Sequence, residues 1–235
     1  MISERKFAGT YTSFWSQLLP RMDTFVRRMN CSCERYCKEV YDISSTHRDR
    51  RGIVNELAFR IFQEDPAKAC LAPAHIATLA ENVRVYIERL SNEHDGVVEL
   101  PVSDDEIMTA LALANSLRTY FRDISADKLI FWPPFPGCGI LRACKGDIIS
   151  GSTLYEIKAG DRSFRVTDVR QILVYCSLDY ASKRYGLQSV TLLNPRRGVY
   201  YKLSIKSLVE ECAGLSPTDL FESILEFISS DTPSR

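Results

Sequence analysis

The chain has 235 residues, of which 45% are hydrophobic and 26% charged, and 30 Lys and Arg balance 30 Asp and Glu. This composition is typical of a globular protein, and the length suits one large domain or two small ones. No run of 18 apolar residues appears, and residues 1–6 lack the apolar stretch of a secretory signal, so the sequence predicts neither a membrane span nor secretion. Eight cysteines in such a chain indicate free thiols in a reducing cytoplasm.

Residues 1–130 are predicted to be mainly helical. A first helix over residues 11–19 ends at Pro20, and apolar residues at helical spacing predict a second over residues 22–40. Further apolar stripes begin near Ile53 and Pro73, and Ser103 and Glu106 have the spacing of a capping box that opens another helix.

A cluster of cysteines lies in the second predicted helix. Cys31, Cys33 and Cys37, with His47 as a fourth ligand, suggest a metal site, but their spacings fit no standard zinc pattern. Because two of the cysteines lie on the apolar stripe, we expect them to pack in the core.

The composition changes at residues 131–139, where three prolines and two glycines exclude a helix. We therefore divide the chain into a helical region, 1–130, and a second region, 131–235. The second region is predicted to contain a strand over 140–143, a hairpin over 146–158, a helix capped by Asp168, two strands near 189–193 and 199–205, and a C-terminal helix beginning near Ser216. Strands and helices in this order indicate an α/β (α+β) fold.

The hairpin carries the residues with the clearest chemistry. A two-residue turn at Gly151-Ser152 sets its register, in which the opposed pairs are Ser150 and Thr153, Ile149 and Leu154, Ile148 and Tyr155, and Asp147 and Glu156. Opposed residues have Cβ atoms roughly 5 Å apart, and two carboxylates at that distance repel unless a cation lies between them. Lys158 points to the same face as Glu156. The hairpin therefore predicts an oxygen-ligand metal site beside an ammonium group, unless it is simply a solvated sheet edge.

Charge is unevenly distributed around this hairpin. Residues 131–206 contain 12 Lys and Arg against 5 Asp and Glu, a surplus of seven positive charges. A surplus of this size favours a polyanionic partner, although a charged surface without a partner is also common.

These residues resemble the PD-(D/E)xK nuclease superfamily. The resemblance is carried by Gly146-Asp147, by the Glu156-Ile157-Lys158 tripeptide and by the following helix with Gln171 and Tyr175. It covers residues 137–204, and it departs from the family at Gly146, where many members have proline. The resemblance implies a restriction-endonuclease-like central mixed sheet flanked by helices.

The resemblance also implies roles for single residues. Asp147 and Glu156 would bind Mg²⁺, for which Mn²⁺ substitutes, Lys158 would position the attacking water, and Gln171 would support the site. The family often carries a further glutamate on its first core helix, for which Glu56 is the candidate. If that helix instead begins at Asp104, the glutamate is Glu106.

Three arginines near the hairpin, Arg162, Arg165 and Arg170, are candidates for binding the phosphates of a nucleic acid, or else belong to a solvated basic loop. The sequence thus predicts a Mg²⁺-dependent nuclease acting on DNA, and by analogy a role in restriction or anti-phage defence. A homodimer, or a helicase or ATPase partner subunit, fits this prediction. The alternatives are a catalytically silent nuclease-fold subunit that binds nucleic acid or a protein, and a helical interaction protein with an incidental hairpin.

Overall fold

The computed structural model describes residues 1–38, 50–67, 71–90 and 100–230, which form a mixed α/β fold. A six-stranded mixed sheet lies between two groups of helices. The helices of the described ranges are α1 (Glu4–Gly9), α2 (Thr12–Leu18), α3 (Met22–Cys31), α4 (Arg51–Glu64), α5 (Pro73–Leu90), α6 (Asp104–Phe121), α7 (Val166–Ser182), α8 (Ile205–Cys212) and α9 (Pro217–Ser229). The strands are β1 (Glu34–Arg35), β2 (Ile130–Phe131), β3 (Pro134–Phe135), β4 (Cys144–Lys145), β5 (Ile148–Ser150), β6 (Thr153–Ile157), β7 (Ser189–Asn194) and β8 (Val199–Ser204).

The main sheet has the strand order β1-β8-β7-β6-β5-β2, and β3 pairs with β4 in a separate two-stranded sheet. Strands β6 and β7 are parallel, and the other neighbours described in the main sheet are antiparallel. A parallel pair needs a crossover connection, and α7 provides it. This crossover places α7 against the strand that carries Glu156.

The predicted hairpin is confirmed. Three of its four predicted pairs, Ile148 with Tyr155, Ile149 with Leu154 and Ser150 with Thr153, have the predicted register. The fourth predicted pair, Asp147 with Glu156, is not part of the ladder, because the strand begins at Ile148. Gly151 has a φ of 56°, a left-handed conformation that glycine adopts without steric cost, and this explains why the turn occurs there.

Two helix predictions in the first part of the chain need correction. The helix predicted over residues 22–40 ends at Cys31, because residues 34–35 instead pair with Val199 and Tyr200 at the edge of the main sheet. The six-residue helix α1, which precedes the first predicted helix, was not predicted. The capping box of Ser103 and Glu106 is confirmed.

The strand predicted over residues 140–143 is also wrong. Ile140 donates its backbone N–H to the carbonyl of Ile228 and accepts a hydrogen bond from the backbone of Ile2, so this segment is held by both chain ends. The strand that pairs with the hairpin is β2, which lies at the boundary between the two predicted regions.

Two hydrophobic cores cover the two faces of the sheet. Ile149, Leu154 and Val190 point into the core formed with α1, α2, α3, α7, α8 and α9. Ile148 and Tyr155 point into the opposite core, formed with α4, α5 and α6. The alternation follows from the period of two along a strand. Each core contains residues from both sides of residue 130.

None of the helices within the described ranges is long and apolar enough to cross a bilayer.

Candidate functional site

The hairpin, α4, α5 and α7 enclose one cavity of about 660 Å³. Asp147, Lys158 and Gln171, all predicted as site residues, line it together. Strands β5 and β6 bring the first two residues to the same end of the sheet, and α7 lies across that end and presents Gln171. Three side chains that belong to different structural elements therefore meet in one concave surface.

Glu156, Lys158 and Gln171 form a hydrogen-bonded chain. Lys158 Nζ donates to Glu156 Oε1 at 2.6 Å and to Gln171 Oε1 at 2.7 Å. Gln171 Nε2 in turn donates to the Tyr175 hydroxyl at 2.9 Å, and that hydroxyl donates to the carbonyl of Lys145 at 3.1 Å. Consecutive hydrogen bonds of this kind polarise and orient one another. The ammonium group is therefore held in a fixed position beside the carboxylate.

Glu156 is the most deeply buried charged group of the site, with 1% of its surface exposed. Its Oε1 atom is occupied by Lys158, whereas Oε2 is buried and has no hydrogen-bond partner among the described residues. A buried carboxylate oxygen without a partner is energetically costly, so it identifies a place where another positive or donor group would be stabilised.

Asp147 is half-buried, and its Oδ2 accepts a hydrogen bond from the backbone N–H of Ile157 at 2.6 Å. Its side chain thus reaches across to β6, the strand that carries Glu156. Burial, followed by the negative charge of Glu156, raises the pKa of the Asp147 carboxyl to about 7, against the opposing effect of Lys158. The two acidic groups therefore influence each other electrostatically.

The donor set fits a hard divalent cation. Mg²⁺ prefers carboxylate oxygens and is commonly bound by one or two carboxylates, with water and substrate oxygens completing its coordination. Asp147 and Glu156 would provide two such groups, and the unpartnered Oε2 atom of Glu156 is suited to this role. Within the described part of the chain, no group of three or more His, Cys, Asp and Glu side chains is arranged to hold a metal.

Asp168 also belongs to this site, although its predicted role needs correction. Arg165 occupies the N-cap position of α7, and Asp168 lies three residues inside the helix, where Oδ2 accepts the backbone N–H of Arg165 at 2.8 Å. Arg162 binds both oxygens of Asp168 at 2.7 and 2.9 Å. Burial alone would raise the pKa of Asp168, but these hydrogen bonds and the charge of Lys158 hold it below its usual value.

The three candidate phosphate-binding arginines lie in different places. Arg162 lines the cavity while it pairs with Asp168. Arg165 is exposed at the start of α7. Arg170 points towards the N-terminal helices, where its guanidinium lies 5.5 Å from the ring centre of Trp15 and donates to the carbonyl of Ala8. The structure thus brings only the first of them to the cavity.

The two candidate glutamates of a first core helix are also separated. Glu56, on α4, lines the cavity and accepts a hydrogen bond from Arg60 at 2.9 Å. Glu106, at the start of α6, is buried in a two-point ion pair with Arg50 at 2.6 and 2.7 Å. Glu106 therefore stabilises its own helix terminus, and Glu56 is the glutamate that shares the cavity with Asp147.

The contribution of α1 to the site was not predicted from the sequence. Glu4 Oε1 lies 3.5 Å from both Gln171 Nε2 and the Tyr175 hydroxyl, and Arg5 lines the cavity and interacts electrostatically with Glu156 and Asp147. The sequence did contain a helix-start signal in Ser3, whose side chain caps α1 by accepting a hydrogen bond from the backbone N–H of Lys6. Two turns of helix are too short to give a clear apolar stripe.

The expectation that the clustered cysteines pack in the core is wrong, because Cys33 and Cys37 are only half-buried and Cys31 is exposed. Cys33 contacts the carbonyl of Met29, Cys37 contacts the hydroxyl of Ser116, and all seven cysteines of the described ranges are unpaired. His47, the fourth ligand of the alternative metal site, lies outside the described residues.

No protein family, no curated protein and no solved structure matches this chain.

Proposed function

We propose that the protein is a Mg²⁺-dependent nuclease that hydrolyses phosphodiester bonds in DNA. One observation carries this proposal: the buried Oε2 atom of Glu156 has no partner among the described residues, and it lies in a site with a second carboxylate, Asp147, and a fixed ammonium group, Lys158. An acidic group with a raised pKa that lines a cavity, as Asp147 does, is characteristic of functional sites.

Asp147 and Glu156 would hold the cation. When bound, Mg²⁺ lowers the pKa of water and neutralises charge that develops at phosphorus. The chain's own contribution is geometric and electrostatic. Lys158 Nζ is held by Glu156 and Gln171, so it acts by positioning water and stabilising negative charge.

Gln171 acts through Lys158. Its carbonyl oxygen accepts from the ammonium, and its amide nitrogen is held by Tyr175, so the amide cannot rotate without breaking one of these bonds. Asp168 and Arg162 form the side of the cavity behind Lys158, with Asp168 Oδ1 4.0 Å from its Nζ atom. Together these residues restrict the ammonium group to one position.

The architecture supports a restriction-endonuclease-like fold. An antiparallel hairpin with the acidic residues is followed by a helix and then by a strand parallel to β6, and this is the arrangement that the resemblance implies. The unpaired cysteines support action in the cytoplasm. A homodimer, an ATPase partner and a role in anti-phage defence stay predictions from the resemblance.

Cleavage assays test the proposal directly. Supercoiled, linear and single-stranded DNA and RNA are incubated with the protein and Mg²⁺, Mn²⁺ or EDTA. We expect metal-dependent cleavage of DNA that falls about 10²- to 10³-fold in Lys158→Met and Asp147→Asn, the range for loss of one preorganised electrostatic group. Lys206→Met, which removes a lysine that is 75% exposed, is the matched control. Cleavage in EDTA, or cleavage that survives both site substitutions, would contradict the mechanism.

A second candidate function is supported by the hydrogen bonds that the two carboxylates already make within the chain. Asp147 accepts a backbone hydrogen bond from Ile157, and Glu156 accepts one from Lys158. These observations favour a silent nuclease-fold subunit that binds nucleic acid or a protein. Retained DNA binding without cleavage of any substrate would establish this alternative.

A further inference from the structure

The cavity has an aromatic wall beside its charged residues. Phe59 on α4, Tyr86 on α5 and Trp132, just after β2, line the same cavity as Asp147 and Lys158. Phe59 is buried, Trp132 is half-buried, and the Tyr86 side chain is unusually open, with 42% of the residue's surface exposed. Large aromatic rings left open beside charged groups provide a surface on which a flat ligand can stack.

Trp132 has an unusual backbone conformation. Its φ is 47°, in the left-handed region that bulky residues rarely adopt, and its backbone N–H donates to the carbonyl of Asp147 at 2.9 Å. Adjacent residues of a strand point to opposite faces, yet the rings of Phe131 and Trp132 both contact Phe59, at centroid distances of 5.8 and 5.4 Å. The strained backbone thus keeps the indole against α4 and beside Asp147. Such strain concentrates at functional sites.

Arg60 links the two outer rings. Its guanidinium carbon lies 5.0 Å from the ring centre of Tyr86 and 5.9 Å from that of Trp132, and Glu56 holds it through a 2.9 Å hydrogen bond. The guanidinium group therefore contacts both rings, and its charge is balanced by Glu56. Glu56 acts here as a positioning residue for the wall.

We propose that this wall, defined by Phe59, Tyr86 and Trp132, binds a nucleobase, and that the substrate is single-stranded DNA. The inference rests on the proposed nuclease function. A volume of about 660 Å³ lies within the range of cavities that bury drug-sized ligands, a class that includes a single nucleotide. In this proposal the site of Asp147, Glu156 and Lys158 contacts the phosphate of the nucleotide, and the aromatic wall contacts its base.

Double-stranded DNA fits this cavity poorly. Bases in a duplex are stacked on one another, so their faces are hidden until the nucleotide is flipped out at an energetic cost. An unpaired strand exposes these faces, and stacking on aromatic side chains tolerates any base because every base has a π-face. The wall therefore selects unpaired nucleotides without selecting a sequence.

The decisive experiment measures binding separately from cleavage. A fluorescein-labelled oligothymidylate, a hairpin duplex of equal length and an abasic oligomer are titrated with Asp147→Asn protein in EDTA, and anisotropy is recorded. In that background, Tyr86→Leu should weaken binding of the single strand about 5- to 150-fold, which is the loss expected for one base–aromatic stack. Tyr86→Phe should bind within about twofold of the parent protein, since it keeps the ring.

Two controls separate stacking from a general loss of structure. Tyr180→Leu removes a comparably exposed tyrosine that contacts Glu222 and Phe221 outside the cavity, and it should leave binding unchanged. The abasic oligomer has the same backbone but offers nothing to stack, so Tyr86→Leu should not alter its affinity. Equal losses for the abasic oligomer and the single strand would overturn the proposal, as would tighter binding of the duplex.

Tryptophan fluorescence provides an independent measurement. The chain contains two tryptophans, of which Trp15 is fully buried and Trp132 lines the cavity. Oligothymidylate should quench the emission of Trp132, and Trp132→Phe should abolish that quenching. Emission that does not change at saturating oligonucleotide would refute contact of the base with the wall.

The outcomes distinguish this inference from the proposed function. If Tyr86→Leu does not affect metal-dependent cleavage of single strands, the proposed nuclease function is kept and the binding of a base by the aromatic wall is rejected. Binding that depends on Tyr86 without cleavage of any substrate rejects the nuclease and keeps the wall.

Discussion

Replacing Lys158 by methionine should destabilise the protein strongly, because the buried carboxyl group of Glu156 would lose its partner in the ion pair. Glu156 is 1% exposed, and its other carboxylate oxygen already lacks a partner among the described residues. Removing one partner of a buried ion pair costs about 3–5 kcal/mol. For a chain of this length, each kcal/mol lowers the melting temperature by roughly 2–4 °C, so we expect a decrease of roughly 6–20 °C.

A double-mutant cycle tests the cause of this loss. Glu156→Gln removes the charge while Lys158 keeps its 2.7 Å bond to Gln171, so this variant should stay within about 1 kcal/mol of the parent protein. The double variant Glu156→Gln/Lys158→Met should recover at least half of the stability that Lys158→Met loses, since no buried charge remains.

Urea denaturation at neutral pH in EDTA provides the free energies of unfolding for the four proteins of this cycle. Lys206→Met, which disrupts an exposed ion pair, controls for the loss of a lysine and should change stability by less than about 0.5 kcal/mol. The reasoning would be refuted by a Lys158→Met protein within about 1 kcal/mol of the parent, or by a double variant no more stable than Lys158→Met.

Three further predictions concern other parts of the fold. The pKa of Asp147 is raised to about 7 from an ordinary 3.8, so the folded state binds this proton more tightly than the unfolded state. In EDTA, the free energy of unfolding should therefore fall as the pH rises through this interval, and Asp147→Asn should make the fall smaller. Mg²⁺ should raise the melting temperature more at pH 8 than at pH 6. Asp179→Ala should lower the free energy of unfolding, measured with urea, by about 2–3 kcal/mol, because the buried carboxylate accepts hydrogen bonds from the backbone N–H groups of Tyr185 and Leu187 at 2.8 Å. A decrease below about 0.5 kcal/mol would contradict this prediction. Gly139→Ala should prevent stable folding, because the added Cβ atom would lie 1.8 Å from the carbonyl oxygen of Ile228. Gly151 has a similar φ but open space around it, so Gly151→Ala should lower the free energy of unfolding by only about 1–2 kcal/mol. Equal losses in the two variants would show that packing at Gly139 is unimportant.

The hairpin was predictable because its determinants are local. A glycine with positive φ and a two-residue turn fix the register, and the register fixes which residues share a face. Lys158 and Gln171 were also found from the sequence, since one follows Glu156 by two residues and the other lies near the start of the next helix.

The rest of the site depends on long-range contacts that leave little trace in the sequence. The edge strands β1 and β2 contain two residues each, too few for an alternating pattern. Whether such segments become strands is decided by the neighbouring strand. The position of Glu4 likewise follows from packing of α1 against α7, which no local pattern encodes.

The N-terminal and C-terminal helices pack in one core, and this affects how the protein folds during synthesis. Glu4 and Gln171 are separated by 167 positions, and the core behind the site contains Phe7 and Trp15 as well as residues of α8 and α9. Contacts with such large sequence separation form late, because closing long loops costs entropy that only the complete core repays. A nascent chain still emerging from the ribosome therefore holds the acidic hairpin without part of the core behind it, and that core is complete only after synthesis has passed α9.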